Sequence, residues 1–436
     1  MKTKFLISFV LIAFSNGIKA QWAIESSGFT TVGYGINSIS IVNSNIVWAT
    51  AYDTSGTLSV NKYTRTLNGG STWIVGSIIG ASALDFTSIF SNNNDTAWVS
   101  MVDNNIGGGA IYKTNNGGVS WANQTTATFS APNGYADFVY FFTKNNGVCV
   151  GDSNAGYWEF YTTINAGTNW TRVPSGNIPS NLIGETGNDN AYSVIGNTIW
   201  FGTSAGRVYK STDMGAIWSV ANTGLTNCSR VAFKDASNGI ATDGNLIVKT
   251  TDGGLTWTTQ TFTGNFYSTD LCFVPGTLGT YICTGWGLGN NGSSYSIDDG
   301  VTWTNIDAVG HHAVSFLNAT TGWSGGTNTS STIGGMFKWS GTFTGIKNND
   351  YLKGVSMNLF PNPFTNQVTL SVIFENVGIT NLSVEITDVL GNSVIKRNDF
   401  VDNKITLDRG NLAKGMYLYK VCNSNMIIST GSLIAQ

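Results

Sequence analysis

The eight residues Thr66–Trp73, TLNGGSTW, recur five more times: TNNGGVSW (114–121), TINAGTNW (163–170), STDMGAIW (211–218), TTDGGLTW (250–257) and SIDDGVTW (296–303). The closing tryptophans Trp73, Trp121, Trp170, Trp218, Trp257 and Trp303 stand 48, 49, 48, 39 and 46 residues apart. A period in the forties marks one supersecondary unit per repeat, stacked on its neighbours. Each copy reads Ser/Thr, any, Asp/Asn, any, Gly, two more, Trp. The hydroxyl and the side chains of Asn68, Asn116, Asn165, Asp213, Asp252 and Asp298 can bond nearby backbone N–H groups and hold a tight turn. The glycine supplies a position where positive φ carries no Cβ penalty. The tryptophan then lays a large apolar surface against the sheet, so the turn staples a hairpin.

This turn resembles the Asp-box (BNR) repeat of sialidases, some glycoside hydrolases, sortilin-type receptors and the photosystem II assembly-factor family. The resemblance implies that each copy sits on the outer hairpin of a β-propeller blade, as scaffold in enzymes and non-enzymes alike. Between the boxes lies a second repeat, an apolar strand, a polar turn and a short strand ending in small residues. Copies are FSNNNDTAWVS (90–100), FTKNNGVCVG (142–151), FKDASNGIATDG (233–244), FVPGTLGTYICTG (273–285) and FLNATTGWSGG (316–326), with looser versions at 36–50 and 192–203. This layout most resembles the photosystem II assembly-factor-like propellers.

Seven inner hairpins thus face six boxes. GGMFKWSGTF (334–343) stands where a seventh box belongs, and QWAIESSG (21–28) reads like the strand that follows one, as in NWTRVPSG (169–176). Trp22 and the residues after it are therefore expected to complete the seventh blade, closing the ring and removing two exposed edges. The fold class expected is all-β: a seven-bladed β-propeller over residues 21–345, a linker at 346–354, and a small C-terminal β-sandwich over 355–436.

Charged residues make up 11% of the chain against about 25% in ordinary globular proteins, so solubility rests on Ser, Thr and Asn. The net charge of −3 and the absence of a Lys/Arg cluster argue against a nucleic-acid partner. Lys2 and Lys4, the apolar run FLISFVLIAF (5–14) and the small residue before Gln21 have the order of a secretory signal peptide over residues 1–20. Ten apolar residues are too few to span a bilayer, and no other segment reads as a transmembrane helix.

Past residue 345 tryptophans and boxes stop. Alternation at Val368, Leu370 and Val372, and at Val384 and Ile386, predicts half-buried strands. The blocks Phe360-Pro361-Asn362-Pro363-Phe364, Asp388-Val389-Leu390-Gly391 and Leu412-Ala413-Lys414-Gly415-Met416-Tyr417 resemble the type A C-terminal sorting domain of the type IX secretion system of Bacteroidetes. That resemblance implies passage through the periplasm and outer membrane, with the secretion machinery as partner through residues 355–436, and a secreted or cell-surface product. The tail TGSLIAQ (430–436) lacks the basic residue often seen near the end.

Cys272 and Cys283 flank a hairpin centred near Thr277 and are either a cross-strand disulfide or two free thiols; Cys149, Cys228 and Cys422 read as unpaired. No metal spacing and no cofactor motif is present. The adjacent His311 and His312 point to opposite faces of any strand, which disfavours a shared metal. A sialidase resemblance implies an arginine cluster, but Arg65, Arg172, Arg207 and Arg230 lie in no matching motif, and Arg65 directly precedes a box. Xyloglucanase-type enzymes would imply two facing propellers where this chain has one. No catalytic residue carries over, and the balance is against an enzyme.

In a propeller the loop joining the second and third strands of each blade lies opposite the boxes. Here those loops hold Asp53, Asp103, Asp152 and Asp243, either a candidate ligand rim or simply turn-forming aspartates. Two functions remain: a monomeric surface or secreted binding module for a glycan or protein, and a glycoside hydrolase with two loop-face carboxylates.

Overall fold

The computed structural model describes residues 21–154, 156–343, 355–374, 382–388, 391–423 and 426–436. The segments expected to be a signal peptide (1–20) and a linker (346–354), and Val389-Leu390 of the expected sorting-domain motif, lie outside them. The chain divides into two compact units, one ending at Thr344 and one beginning at Gly345.

The first unit is seven blades of four antiparallel strands, the sixth carrying a short fifth strand, Thr263–Gly264, parallel to its outer strand Thr302–Asp307. Blade 1 runs Tyr34–Ile41, Val47–Asp53, Lys62–Thr66 and Ile74–Ser77 from the axis outward, and blades 2 to 6 repeat that order. Their inner strands are Asp85–Ser91, Ala136–Phe141, Gly187–Ile195, Arg230–Phe233 and Asp270–Phe273. Blade 7 takes Ala313–Asn318, Thr321–Asn328 and Gly334–Trp339 from the end of the unit and its outermost strand, Trp22–Ser26, from the start. Trp22 stands opposite Trp339, their rings 5.0 Å apart edge to face.

All six boxes form the same local network. The N–H of Gly70 donates to Thr66 Oγ1 (2.9 Å) and that of Thr72 to Asn68 Oδ1 (2.9 Å). The matching pairs in the last copy are Gly300 to Ser296 (2.9 Å) and Thr302 to Asp298 (2.9 Å). Gly118 shows why the glycine is needed: φ is +86°, and a Cβ there would stand 2.0 Å from Tyr63 Oη of the preceding blade. Each box thus packs against the neighbour as well as closing its own hairpin. Trp170, Trp218 and Trp303 are buried; Trp73, Trp121 and Trp257 are half-buried.

Blade interfaces hold the apolar clusters, with Trp48, Trp98, Trp200 and Trp323 fully buried in the second strands of their blades. Trp98 stacks on Phe141 and Trp200 on Phe233, each at 3.8 Å, joining neighbouring blades. The second unit has a three-stranded sheet (Val355–Phe360, Gln367–Phe374, Lys404–Asp408) and a four-stranded sheet (Ser393–Arg397, Leu382–Thr387, Gly415–Asn423, Met426–Ala435). Val368, Leu370 and Val372 from one sheet and Val384 and Ile386 from the other share one core.

Cys272 and Cys283 are both free thiols, which corrects the disulfide alternative. Cys272 stands opposite Ile282 and Cys283 opposite Leu271. This one-residue offset turns the two side chains to opposite faces of blade 6, Cys272 toward the Trp22 cluster and Cys283 toward that of Tyr281.

Candidate site at the channel mouth

The first residues of each inner strand lie beside the end of the second strand: Tyr34 faces Asp53, Asp85 faces Val102, Ala136 faces Gly151 and Arg230 faces Thr242. The start of the second strand instead meets the end of the third, as in Val47 opposite Thr66. The boxes therefore occupy one end of the ring, and the loops with Asp53, Asp103, Asp152 and Asp243 the other.

Three of these four aspartates fold back on their own loops. Asp53 accepts the N–H groups of Ser55 (3.1 Å), Thr57 (3.2 Å) and Leu58 (3.1 Å) and the Ser55 hydroxyl (2.5 Å). Those bonds, led by the Ser55 hydroxyl, hold its pKa down at about 2. Asp103 caps Asn105 and Ile106, and Asp243 caps Asn245 and Leu246. The expected four-membered rim reduces to Asp152, whose carboxylate bonds across the ring to the next blade. Asp152 is 6% exposed, and its Oδ1 accepts the N–H of Gly187 in the next blade at 2.6 Å.

The inner strands decide the rest. A β-bulge interrupts each of the first three, at Asn37, Thr87 and Asp137. In the fourth, Gly187 to Tyr192 runs five steps against two on its partner, Thr203 to Phe201, and Asn190 takes φ +54°. Bulges re-aim side chains, and these turn a polar residue toward the axis. Together Asn37, Thr87, Asn188, Asp189, Asn190, Arg230 and His312 enclose a cavity of about 410 Å³, from five blades.

A girdle of cross-blade bonds fixes this mouth. Asn37 Nδ2 donates to Phe86 O (2.8 Å), Thr87 Oγ1 to Ala136 O (2.5 Å) and Asn188 Nδ2 to Cys228 O (2.8 Å). Arg230 Nε donates to Asp270 Oδ1 (2.9 Å), Asp270 Oδ2 accepts the N–H of Val314 (2.8 Å), and His312 bonds the backbone of Ile36. Where blades 1 and 2 offer a donor, blade 3 offers the carboxyl of Asp137, 1% exposed, whose Oδ2 meets no donor.

Three carboxyls therefore converge with no cation of their own. Burial first, then Asp152 and Asp189, pushes the Asp137 pKa well above the carboxylate range. Burial likewise raises Asp152 to about 7, offset in part by its bond to Gly187, and Asp189 to about 6, offset in part by Arg230. Asp189 is set deep in the ring yet open to the lumen. His312, covered by Tyr52 at 4.4 Å, is held near pKa 4 by burial and Arg230, so its ring is neutral.

The other histidine belongs to a different network. Ser324 Oγ meets His311 Nδ1 at 2.6 Å, and His311 Nε2 meets Asp307 Oδ2 at 3.0 Å, the residue types of a nucleophilic triad with the two ring nitrogens exchanged. Ser324 and His311 are both fully buried, so no substrate reaches the hydroxyl. Asp307 also accepts from Ser293, which accepts from Trp22 Nε1. The relay thus anchors the closing strand between blades 6 and 7. Among the other arginines, Arg65 bonds Asn94 O, Arg172 lies beside Glu159 and Arg207 pairs with Glu185, so Arg230 alone of the four reaches the cavity.

Residues 358–436 match the family of secretion system C-terminal sorting domains. The sorting domain directs the chain to the cell surface or to secretion. Among the described residues no helix is long and apolar enough to cross a membrane. No curated protein matches the chain. Among solved structures, one described as YCF48 bound to D1 peptide aligns with TM-score 0.53 and 16% identity over 74% of this chain and 97% of its own. YCF48 from Cyanidioschyzon merolae aligns at TM-score 0.34 and 14% identity, over 74% and 99%. The first alignment shows a shared propeller fold, in line with the assembly-factor likeness of the repeats, and at that identity the fold alone.

Proposed function

We propose that the propeller is an exported binding module, acting as a single chain, whose glycan or protein ligand docks at the channel mouth. The observation that carries this reading is the cavity itself: five blades contribute polar side chains to one lumen, and a girdle of cross-blade bonds holds them in place. In a concave site, pre-placed polar groups of this kind fix a ligand's orientation and give specificity. The box end offers instead turns whose polar atoms are spent on one another. The test is a glycan array and a capture screen against outer-envelope proteins, run with the full chain and with Asp189→Trp, which plugs the lumen. A ligand retained equally by both proteins would refute docking at the mouth.

A glycoside hydrolase is the second reading, favoured by Asp152, whose pKa near 7 suits a general acid, close to Asp189. Against it, Asp152 is 6% exposed and tied to Gly187, which leaves little access to a glycosidic oxygen. Release of reducing sugar from a polysaccharide panel, abolished by Asp152→Asn, would reinstate this reading.

A further inference from the structure

Two of the partnerless buried polar atoms near the channel mouth are acceptors, beside the hydroxyl of Tyr52. One is Asp137 Oδ2, which lies against Gly187, where an added Cβ would stand 2.0 Å from it; Gly187 is part of the cavity wall. The other is Nδ1 of His312, a neutral ring that spends its N–H on Ile36. Asp189 adds a carboxylate open to the lumen. The charges are unbalanced in the same sense: Asp137, Asp152, Asp189 and Asp270 face one guanidinium, Arg230, already bound to Asp270 at 2.9 Å. The cavity is rich in carboxyl oxygens, and the side-chain donors of Asn37, Thr87, Asn188 and Arg230 on its wall are already engaged.

We propose that the channel mouth takes the cationic head of a basic side chain, a lysine ammonium or an arginine guanidinium, presented by a partner polypeptide, with Asp189 as counter-ion. This rests on the channel-mouth reading above and supplies the chemical class of its ligand. Ammonium and guanidinium groups carry three and five N–H donors and no acceptor, the complement of this wall. A hydrogen bond from such a cation to a carboxylate is charge-assisted and about twice as strong as a neutral one. The wall is amide, hydroxyl and carboxyl, and the one ring on it, His312, is covered by Tyr52 and Trp286. A sugar ring therefore finds no aromatic face for its C–H surface. A lumen of about 410 Å³ admits one long side chain whose stem trails toward the rim.

Binding is coupled to protons. Asp152 and Asp189 titrate near 7 and 6, and burial pushes Asp137 well above the usual carboxylate range, so the cluster holds protons at neutral pH. An arriving cation favours the ionised forms, so complex formation expels protons and tightens as pH rises. Arg230 stays with Asp270, and His312, near 4, stays neutral.

The experiment is calorimetric titration of the full chain with the peptide acetyl-Gly-Gly-Arg-Gly-Gly-amide, its lysine form and its citrulline form, each at about pH 5 and about pH 8. Saturable binding of the Arg or Lys peptide is expected, at least tenfold weaker for citrulline and for Asp189→Asn, and roughly tenfold tighter at the higher pH with protons released. Asp189→Lys, which places an ammonium of its own in the lumen, should fold and lose peptide binding. No saturable binding at millimolar peptide, or equal binding of the citrulline form, overturns the cationic assignment. A neutral glycan that binds wild type and Asp189→Asn alike but not Asp189→Trp overturns it too, while leaving the channel-mouth reading intact. Binding unaffected by Asp189→Trp sinks both.

Discussion

Asp53 and Asp152 occupy the same loop in blades 1 and 3, yet the first is held at about pKa 2 and the second raised to about 7. Each stands at the end of the second strand of its blade, Asp53 after Ala51-Tyr52 and Asp152 after Val150-Gly151. The difference lies in who supplies the donors. Asp53 finds three backbone N–H groups within five residues of itself, whereas Asp152 finds one, in the next blade, with Asp137 and Asp189 close by. A locally capped carboxylate stabilises its loop; one that reaches across the ring joins a charged cluster and weakens the fold it sits in. The channel end holds both kinds side by side, with Asp103 and Asp243 capped like Asp53 and the cluster around Asp152 built across blades.

The strongest way to break the box end is Gly118→Ala, which strains a φ of +86° and drives a Cβ into Tyr63. We expect a loss of about 3 kcal/mol. It is measured by tryptophan fluorescence during denaturant unfolding, which reports the propeller alone because all 14 tryptophans precede residue 345.

The opposite sign is expected at the channel end. Asp152 binds its proton more tightly in the folded chain, near 7, than at the ordinary 3.8 of the unfolded one. Its contribution is therefore intact below about pH 4 and is lost as pH rises through about 7. Asp152→Asn keeps the acceptor for Gly187 without the charge. It should match wild type at about pH 4 and exceed it by about 2 kcal/mol at about pH 8. A variant less stable than wild type at both pH values would mean that the carboxylate is compensated in the folded protein.

A smaller loss is expected for Thr114→Val, which removes the acceptor for the N–H groups of Gly118 and Asn116 while keeping shape. About 1 kcal/mol is the expected cost, by the same fluorescence assay and independent of pH. Asp53→Asn should have the least effect. The Asp53 pKa is depressed, so its stabilisation is present above about pH 4 and lost as pH falls through about 2. The variant should melt slightly below wild type at neutral pH and level with it at about pH 2. A larger effect than that of Asp152→Asn would erase the distinction between the two positions.

The boxes, the seven inner hairpins and the sorting domain were legible because each is written in consecutive residues. Asn68 and Thr72, or Ser296 and Gly300, are four positions apart, and their bonds need nothing else from the chain. Asp53, Asp103 and Asp243 were legible as turn-formers for the same reason. Asp137 and Asp189 were missed, since they sit in inner strands and belong to no motif. One signal was available: Asn37, Thr87 and Asp137 recur at intervals of 50, each a polar residue breaking the apolar pattern of an inner strand. Cys272 and Cys283 failed differently, because a hairpin seen in sequence does not give its register, and one residue of offset reverses a face.

The sequence by itself determined the blade count, the outer turns and the export domain, all set by short-range hydrogen bonding and strand periodicity. Tertiary structure alone decided which polar groups meet at the axis. Asp137, Asp152, Asp189, Arg230 and His312 come from four blades and are brought together by bulges and ring closure. Their charge states follow from burial and from one another, and neither exists until the ring has formed.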